Sequence, residues 1–129
     1  EFGLDSFNVG LGLKTIGGAL GSVLNAPEHG IDYVERHILQ DYADFDQLEV
    51  TDPYKNPKLA PILESAKRLK DRFPDVSMTT SVAGPLSTAI AVRPVEKVLK
   101  DTRKNPEMLH KLLDLTVECS LKWNILCLI

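Results

Sequence analysis

Residues 81 to 88, Ser-Val-Ala-Gly-Pro-Leu-Ser-Thr, place two hydroxyls directly after a Gly-Pro step. Gly84 permits an unusual backbone angle and Pro85 suits the first helical position, so Ser87 and Thr88 fall in the first turn of a helix. Free backbone N–H groups there could bind an anion, or the hydroxyls could simply cap. His110, Cys119 and Cys127 are residue types that hold zinc. Positions 110 and 119 are nine apart, half a turn out of phase on a helix, so free thiols are expected rather than a metal site. The run GLGLKTIGG, residues 10–18, invites a phosphate-loop reading. Thr15, however, stands where the dinucleotide fingerprint needs its third glycine, and no Gly-Lys-Ser/Thr is present. These glycines are expected to let a helix lie close to the wall behind it. Asp44 and Asp46 flank Phe45 as a candidate carboxylate pair, but successive carboxylates at a helix start usually cap it. His29 and His37 fall in an irregular segment and read as loop residues. His110, beside Lys111 and near Asp114, reads as solvated.

The composition narrows the classes. With 129 residues, 43% hydrophobic and 26% charged, the chain has apolar material for one core. A formal charge of −3 argues against nucleic acid or an anionic membrane as partner and leaves small anions open. No run approaches the roughly 20 apolar residues of a membrane span. The first ten residues lack a basic segment followed by an apolar run, so a cytoplasmic location with reduced cysteines is expected.

Several elements must position these residues. Phe7, Val9, Leu11 and Leu13 alternate with Asn8, Gly10 and Gly12, the period of a strand. In a parallel α/β barrel the large residues would meet the helices and the small ones would point inward. Thr15 is expected to cap a helix from Ile16 to Leu24, weakened by Gly17, Gly18 and Gly21. Residues 33–39 suggest a short strand and 44–50 a short helix. Asn56 and Pro57 then open a helix whose stripe is Leu59, Ile62, Leu63, Ala66, Leu69 and Phe73, ended by Pro74. Val76, Met78, Thr80 and Val82 alternate with Ser77, Thr79 and Ser81 as a second strand. Pro94 starts a helix with Val95, Val98, Leu99 and Thr102 on one side. Asn105-Pro106 starts the last, with a stripe of Leu109, Leu112, Leu113, Val117 and Leu121, and with Glu107–Lys111 and Glu118–Lys122 as i,i+4 pairs. Strand, helix, strand, helix predicts an α/β fold with parallel strands, and its length suits about half of an eight-unit barrel.

Three stretches carry a resemblance: residues 3–21, GLDSFNVGLGLKTIGGALG; residues 56–89, NPKLAPILESAKRLKDRFPDVSMTTSVAGPLSTA; and residues 96–123, EKVLKDTRKNPEMLHKLLDLTVECSLKW. Together they resemble the uroporphyrinogen decarboxylase family, which includes the corrinoid-dependent methyltransferases. Ala83-Gly84-Pro85-Leu86, Asn105-Pro106-Glu107 and Leu109-His110-Lys111-Leu112-Leu113 are the most specific parts. The resemblance implies a partial TIM (β/α)8 barrel, roughly its N-terminal half, in one domain over residues 1–129, with the site at the C-terminal mouth of the strands. Residues 124–129, NILCLI, do not match the family's continuation and suggest a truncated or frame-shifted reading frame.

By position, the decarboxylases' catalytic aspartate falls at Gly12 and their tyrosine near Ala91, while their Arg-rich substrate motif lies upstream of Glu1. The methyltransferase branch is therefore expected: methyl transfer from a methylated corrinoid to a thiol, with Asn8, Gly10, Gly12, Ser81, Gly84, Ser87 and Thr88 lining the substrate mouth. Zinc and corrinoid would belong to the full-length form, no cofactor to this chain, and a small-molecule substrate or corrinoid protein would be the partner. Porphyrinogen decarboxylation is the first alternative. The second is a non-catalytic half barrel that self-associates through open edges, and the 129-residue chain is expected to be inactive alone.

Overall fold

The computed structural model describes residue 3 and residues 5–128, with side chains through residue 126. Strand β1, Ser6–Asn8, and strand β4, Ser77–Thr79, pair in parallel, with Ser6 opposite Ser77, Phe7 opposite Met78 and Asn8 opposite Thr79. Ladder bonds continue past the strand ends, from Val9 N–H to the Thr79 carbonyl (2.9 Å) and from Leu11 N–H to the Ser81 carbonyl (3.0 Å). Period-two alternation predicts both strands. It stops at Leu11, and Leu13 is exposed because the chain has already turned toward a helix.

That helix, α1, spans Thr15–Leu20, shorter than expected, and its N-cap is Lys14 rather than Thr15. Gly21 ends it at φ 122°, a conformation that strongly favours glycine. Val23 and Leu24, expected in the helix, instead form β2, Val23–Asn25, antiparallel to β3, Tyr33–Arg36. A 3-10 helix follows at Tyr42–Gln47, capped by the Asp41 carboxylate on Ala43 N–H (3.0 Å). The cap is thus neither Asp44 nor Asp46, which are both exposed.

Helix α2, Ala60–Arg72, begins one turn later than expected. The Asn56 side chain accepts from Lys58 N–H in the preceding turn and donates to the Ala19 carbonyl, tying that turn to α1. Leu59, Leu63 and Ala66 are buried, whereas Leu69 and Phe73 at the end of the stripe stay exposed.

Helices α3 (Pro85–Val92), α4 (Val95–Lys104) and α5 (Pro106–Leu128) follow β4. On α4 the expected stripe is only partly correct: Val98 is buried, but Val95 and Leu99 face outward and Asp101 turns in. On α5 the buried face runs Leu109, Leu112, Leu115, Thr116, Cys119 and Trp123, and Leu121 is exposed. Trp123, fully buried, decides that rotation, and the Thr116 hydroxyl is accommodated by donating to the Leu113 carbonyl (2.7 Å). Neither expected i,i+4 pair on α5 forms an ion pair among the described residues.

One core cluster joins Leu11 and Ile16 to Leu59, Leu63, Cys119 and Trp123. The other joins Leu39, Ala89, Val92 and Leu112. Helices therefore cover one face of the parallel pair, and the face carrying Asn8, Thr79 and Ser81 lies open.

Candidate functional site

The open face is built by the pleat. Phe7, Met78, Thr80 and Val82 are part-buried toward the helices, with the Trp123 indole N–H donating to Thr80 Oγ1 (3.2 Å). Their neighbours in sequence must point the other way. There Ser81 Oγ donates to Asn8 Oδ1 (3.2 Å), Asn8 Nδ2 donates to Thr79 Oγ1 (3.1 Å), and Thr79 Oγ1 donates to the Phe7 carbonyl (3.4 Å). Gly10 sits against this chain of bonds: a Cβ added there would lie 2.0 Å from Ser81 Oγ and 2.8 Å from Asn8 Oδ1. Asn8, Gly10 and Ser81 thus form one cluster. Thr79, hydrogen-bonded to Asn8, was missed as a site residue; its place in the same alternation as Ser81 was the available signal.

The remaining expected residues distribute differently. Gly12 is exposed at the end of the β1 segment, near Thr15 Oγ1. Gly84 is the N-cap of α3 at φ −63°, an ordinary extended conformation, so the unusual backbone angle expected of it is absent. Ser87 is half-buried and lines a groove of about 390 Å³ with Leu13, Lys14, Val34, His37 and Ile90. Thr88 points inward: it is fully buried, and its Oγ1 has no hydrogen-bond partner among the described residues.

Lys14 Nζ donates to the Asp32 carbonyl (2.6 Å), tying the groove's rim to the β2–β3 hairpin. His37 Nε2 lies 3.1 Å from the Ile90 carbonyl, so this histidine is a strut between hairpin and α3 rather than a free loop residue. A larger groove of about 530 Å³ lies between α2 and the end of α5, lined by Lys67, Lys70 and Met78. None of the expected site residues reaches it, and Met78 belongs to the helix-facing side of β4.

Sequence reasoning also missed a buried ionic cluster. Arg93 Nε donates to Asp101 Oδ2 (2.8 Å) and Nη1 to the Gln40 carbonyl (3.0 Å), with the guanidinium 4.2 Å above the Tyr42 ring. The Tyr42 hydroxyl donates to the same Asp101 oxygen (2.8 Å). Burial works to raise the Asp101 carboxyl, but the hydrogen bonds from Arg93 and Tyr42 outweigh it and hold the group below its ordinary value. Burial, then the hydrogen bond to Asp101, pushes Tyr42 up to about 12. Asp101 lies in the charged run VEKVLKDTRK, which by pattern reads as solvated.

The zinc candidates do not converge. His110 is exposed and Cys119 is buried on another side of α5, where burial raises its thiol. The Cys127 side chain lies outside the described residues, and those described contain no group of three potential metal ligands. Ala91, at the expected tyrosine position, is buried.

Parallel strands with helices on one face and a polar opposite face define a segment of (β/α)8 barrel wall, with ligand groups toward the strands' C-terminal ends. The chain belongs to the uroporphyrinogen decarboxylase (URO-D) family, whose model matches residues 1–125. A solved methyltransferase from Methanosarcina mazei shares its fold at a TM-score of 0.83 and 22% identity, over 98% of this chain and 38% of that one. The chain thus spans about two fifths of that protein's length, as a partial barrel does. No curated protein matches by sequence. The family match reaches Ile125 and α5 continues to Leu128, so the start of the suspected tail is helix; Ile129 lies outside the described residues.

Proposed function

We propose that this chain forms part of the substrate-side wall of a methyltransferase barrel that moves a methyl group from a methylated corrinoid to a thiol. The observation that supports this most is the character of the inner face. Asn8, Gly10, Thr79 and Ser81 are small and uncharged, and the family resemblance puts Gly12 at the position of the decarboxylases' carboxylate. Such a face cannot hold pyrrole nitrogens by charge, and it leaves room for a bulky neutral group. A methylated corrinoid supplies an electrophilic methyl group; the residues here border and orient the reactants, and none is placed to move a proton. Zinc does not fit the described residues, so no step is assigned to it in this segment. The partner would be a small thiol or a corrinoid-carrying protein at the mouth.

The test is to incubate the full-length form with methylcobalamin and a thiol and to assay the thioether. Methyl transfer is the expected result. Uroporphyrinogen turnover in its place, or no affinity for cobamides, would move the assignment to the decarboxylase branch.

A second reading concerns the isolated chain. Neither β1 nor β4 has another strand on its outer edge among the described residues, and Leu13, Leu86, Val95 and Leu99 are exposed. Open edges and apolar surface of this kind drive self-association.

A further inference from the structure

Helix α4 carries a face that the rest of the chain does not use. Val98 and Asp101 turn inward, while Val95 is 48% and Leu99 61% exposed. At about 100° per residue, Glu96 and Arg103 lie on one flank of Leu99, roughly 60° and 40° round the helix, with Val95 and Thr102 on the other flank. All five are exposed, and neither Glu96 nor Arg103 forms an ion pair among the described residues. Glu96 stands about 4.5 Å before Leu99 along the helix axis and Arg103 about 6 Å after it. An acidic first turn and a basic last turn suit the helix dipole by themselves. The dipole gives no reason for Val95 and Leu99 to lie in water beside them.

We propose that this face is the contact between two copies of the chain, with their α4 helices antiparallel about a two-fold axis at Leu99. A two-fold contact must be self-complementary, since both copies offer the same patch. Antiparallel pairing sets Leu99 on the partner's Leu99 and Val95 against the partner's Thr102. It also brings Glu96 within about 1.5 Å of axial register with the partner's Arg103, on the same flank, and symmetry repeats that pair. A parallel arrangement would instead align Glu96 with the partner's Glu96 and Arg103 with the partner's Arg103. The charges therefore select a second copy in one orientation. The pairing rests on the self-association proposed above, but places it on a helix face in place of the strand edges. A helix of 10 residues buries little surface, so a dimer in the micromolar range or weaker is expected.

Sedimentation velocity of the 129-residue chain from about 10 to 500 μM covers that range and tests the contact. Glu96→Arg and Arg103→Glu should each weaken the dimer about tenfold, because each sets like charges together twice. An equimolar mixture of the two variants should regain the parent's affinity as a mixed pair, since every charged contact is then Arg against Glu. The double variant should regain it with itself, although its charges oppose the helix dipole. These positions are exposed and lie outside β1 and β4, and unchanged far-UV circular dichroism of each variant would confirm intact helices. A dimer indifferent to the single substitutions, or a mixture as weak as either variant alone, would overturn the α4 contact and leave association through the strand edges standing. A monomeric parent would overturn both.

Discussion

Arg93, Asp101 and Tyr42 show how few side chains set the chain's response to pH. Asp101 is held below its ordinary value, so its contribution is fully present above the unfolded carboxyl's titration near about 3.9 and is lost as pH falls through the folded value. Tyr42 acts in the opposite limb. With its folded value at about 12 and an unfolded value of 10.0, its contribution is present below pH 10.0 and disappears as pH rises between the two. Denaturant unfolding of Tyr42→Phe across the alkaline range should therefore show a flatter loss of stability than the parent; an unchanged slope would contradict the assignment. Arg93→Met should cost about 3–5 kcal/mol, because it leaves Asp101 buried without its partner. None of this was legible in the sequence. Arg93 precedes a proline and Asp101 sits among lysines, so composition gave no hint that they would meet.

Glycines separate local from tertiary causes at the level of elements. Gly17 of α1 faces α3, where an added Cβ would come within 2.6 Å of the Ala91 Cβ and 2.9 Å of its backbone. Gly17→Ala should thus destabilise by about 1–3 kcal/mol through overpacking, although alanine is the better helix former. Gly84→Ala should be close to neutral. Its backbone is ordinary and the space around it is open, which favours alanine by about 0.4–1 kcal/mol, but alanine is the poorer N-cap by a similar amount, so a denaturation midpoint close to the parent's is expected. The close approach of a glycine-bearing helix was anticipated from the run GLGLKTIGG; that its neighbour would be α3 was not. On α5, truncation of Trp123 to alanine should cost about 3–5 kcal/mol, whereas Leu121→Lys should change the melting temperature little. The expected stripe contained Leu121 and omitted Trp123, since leucines at i,i+4 spacing outline a face without saying which side the neighbouring helices occupy.

For the whole molecule, the open edges make a prediction of their own. The isolated chain should form dimers or larger species by light scattering, and a cooperatively melting monomer would speak against self-association. Much of the local architecture is legible in the order of the residues. Alternation at residues 7–11 and 76–82 specified two strands and their inward faces, Pro85 and Pro106 specified helix starts, and the Gly-Pro and Asn-Pro stretches pointed to the family. Period-two and helical patterns survive in a one-dimensional string because they repeat locally. Tertiary structure alone decided that Gly10 lies against Ser81, that Thr88 is buried while Ser87 lines a groove, and that Lys14 and His37 fasten the hairpin. It also decided that Arg93 closes on Asp101. Those outcomes depend on which groups come to share one low-dielectric interior or one strand pair, and the residues involved lie up to 73 positions apart in the chain.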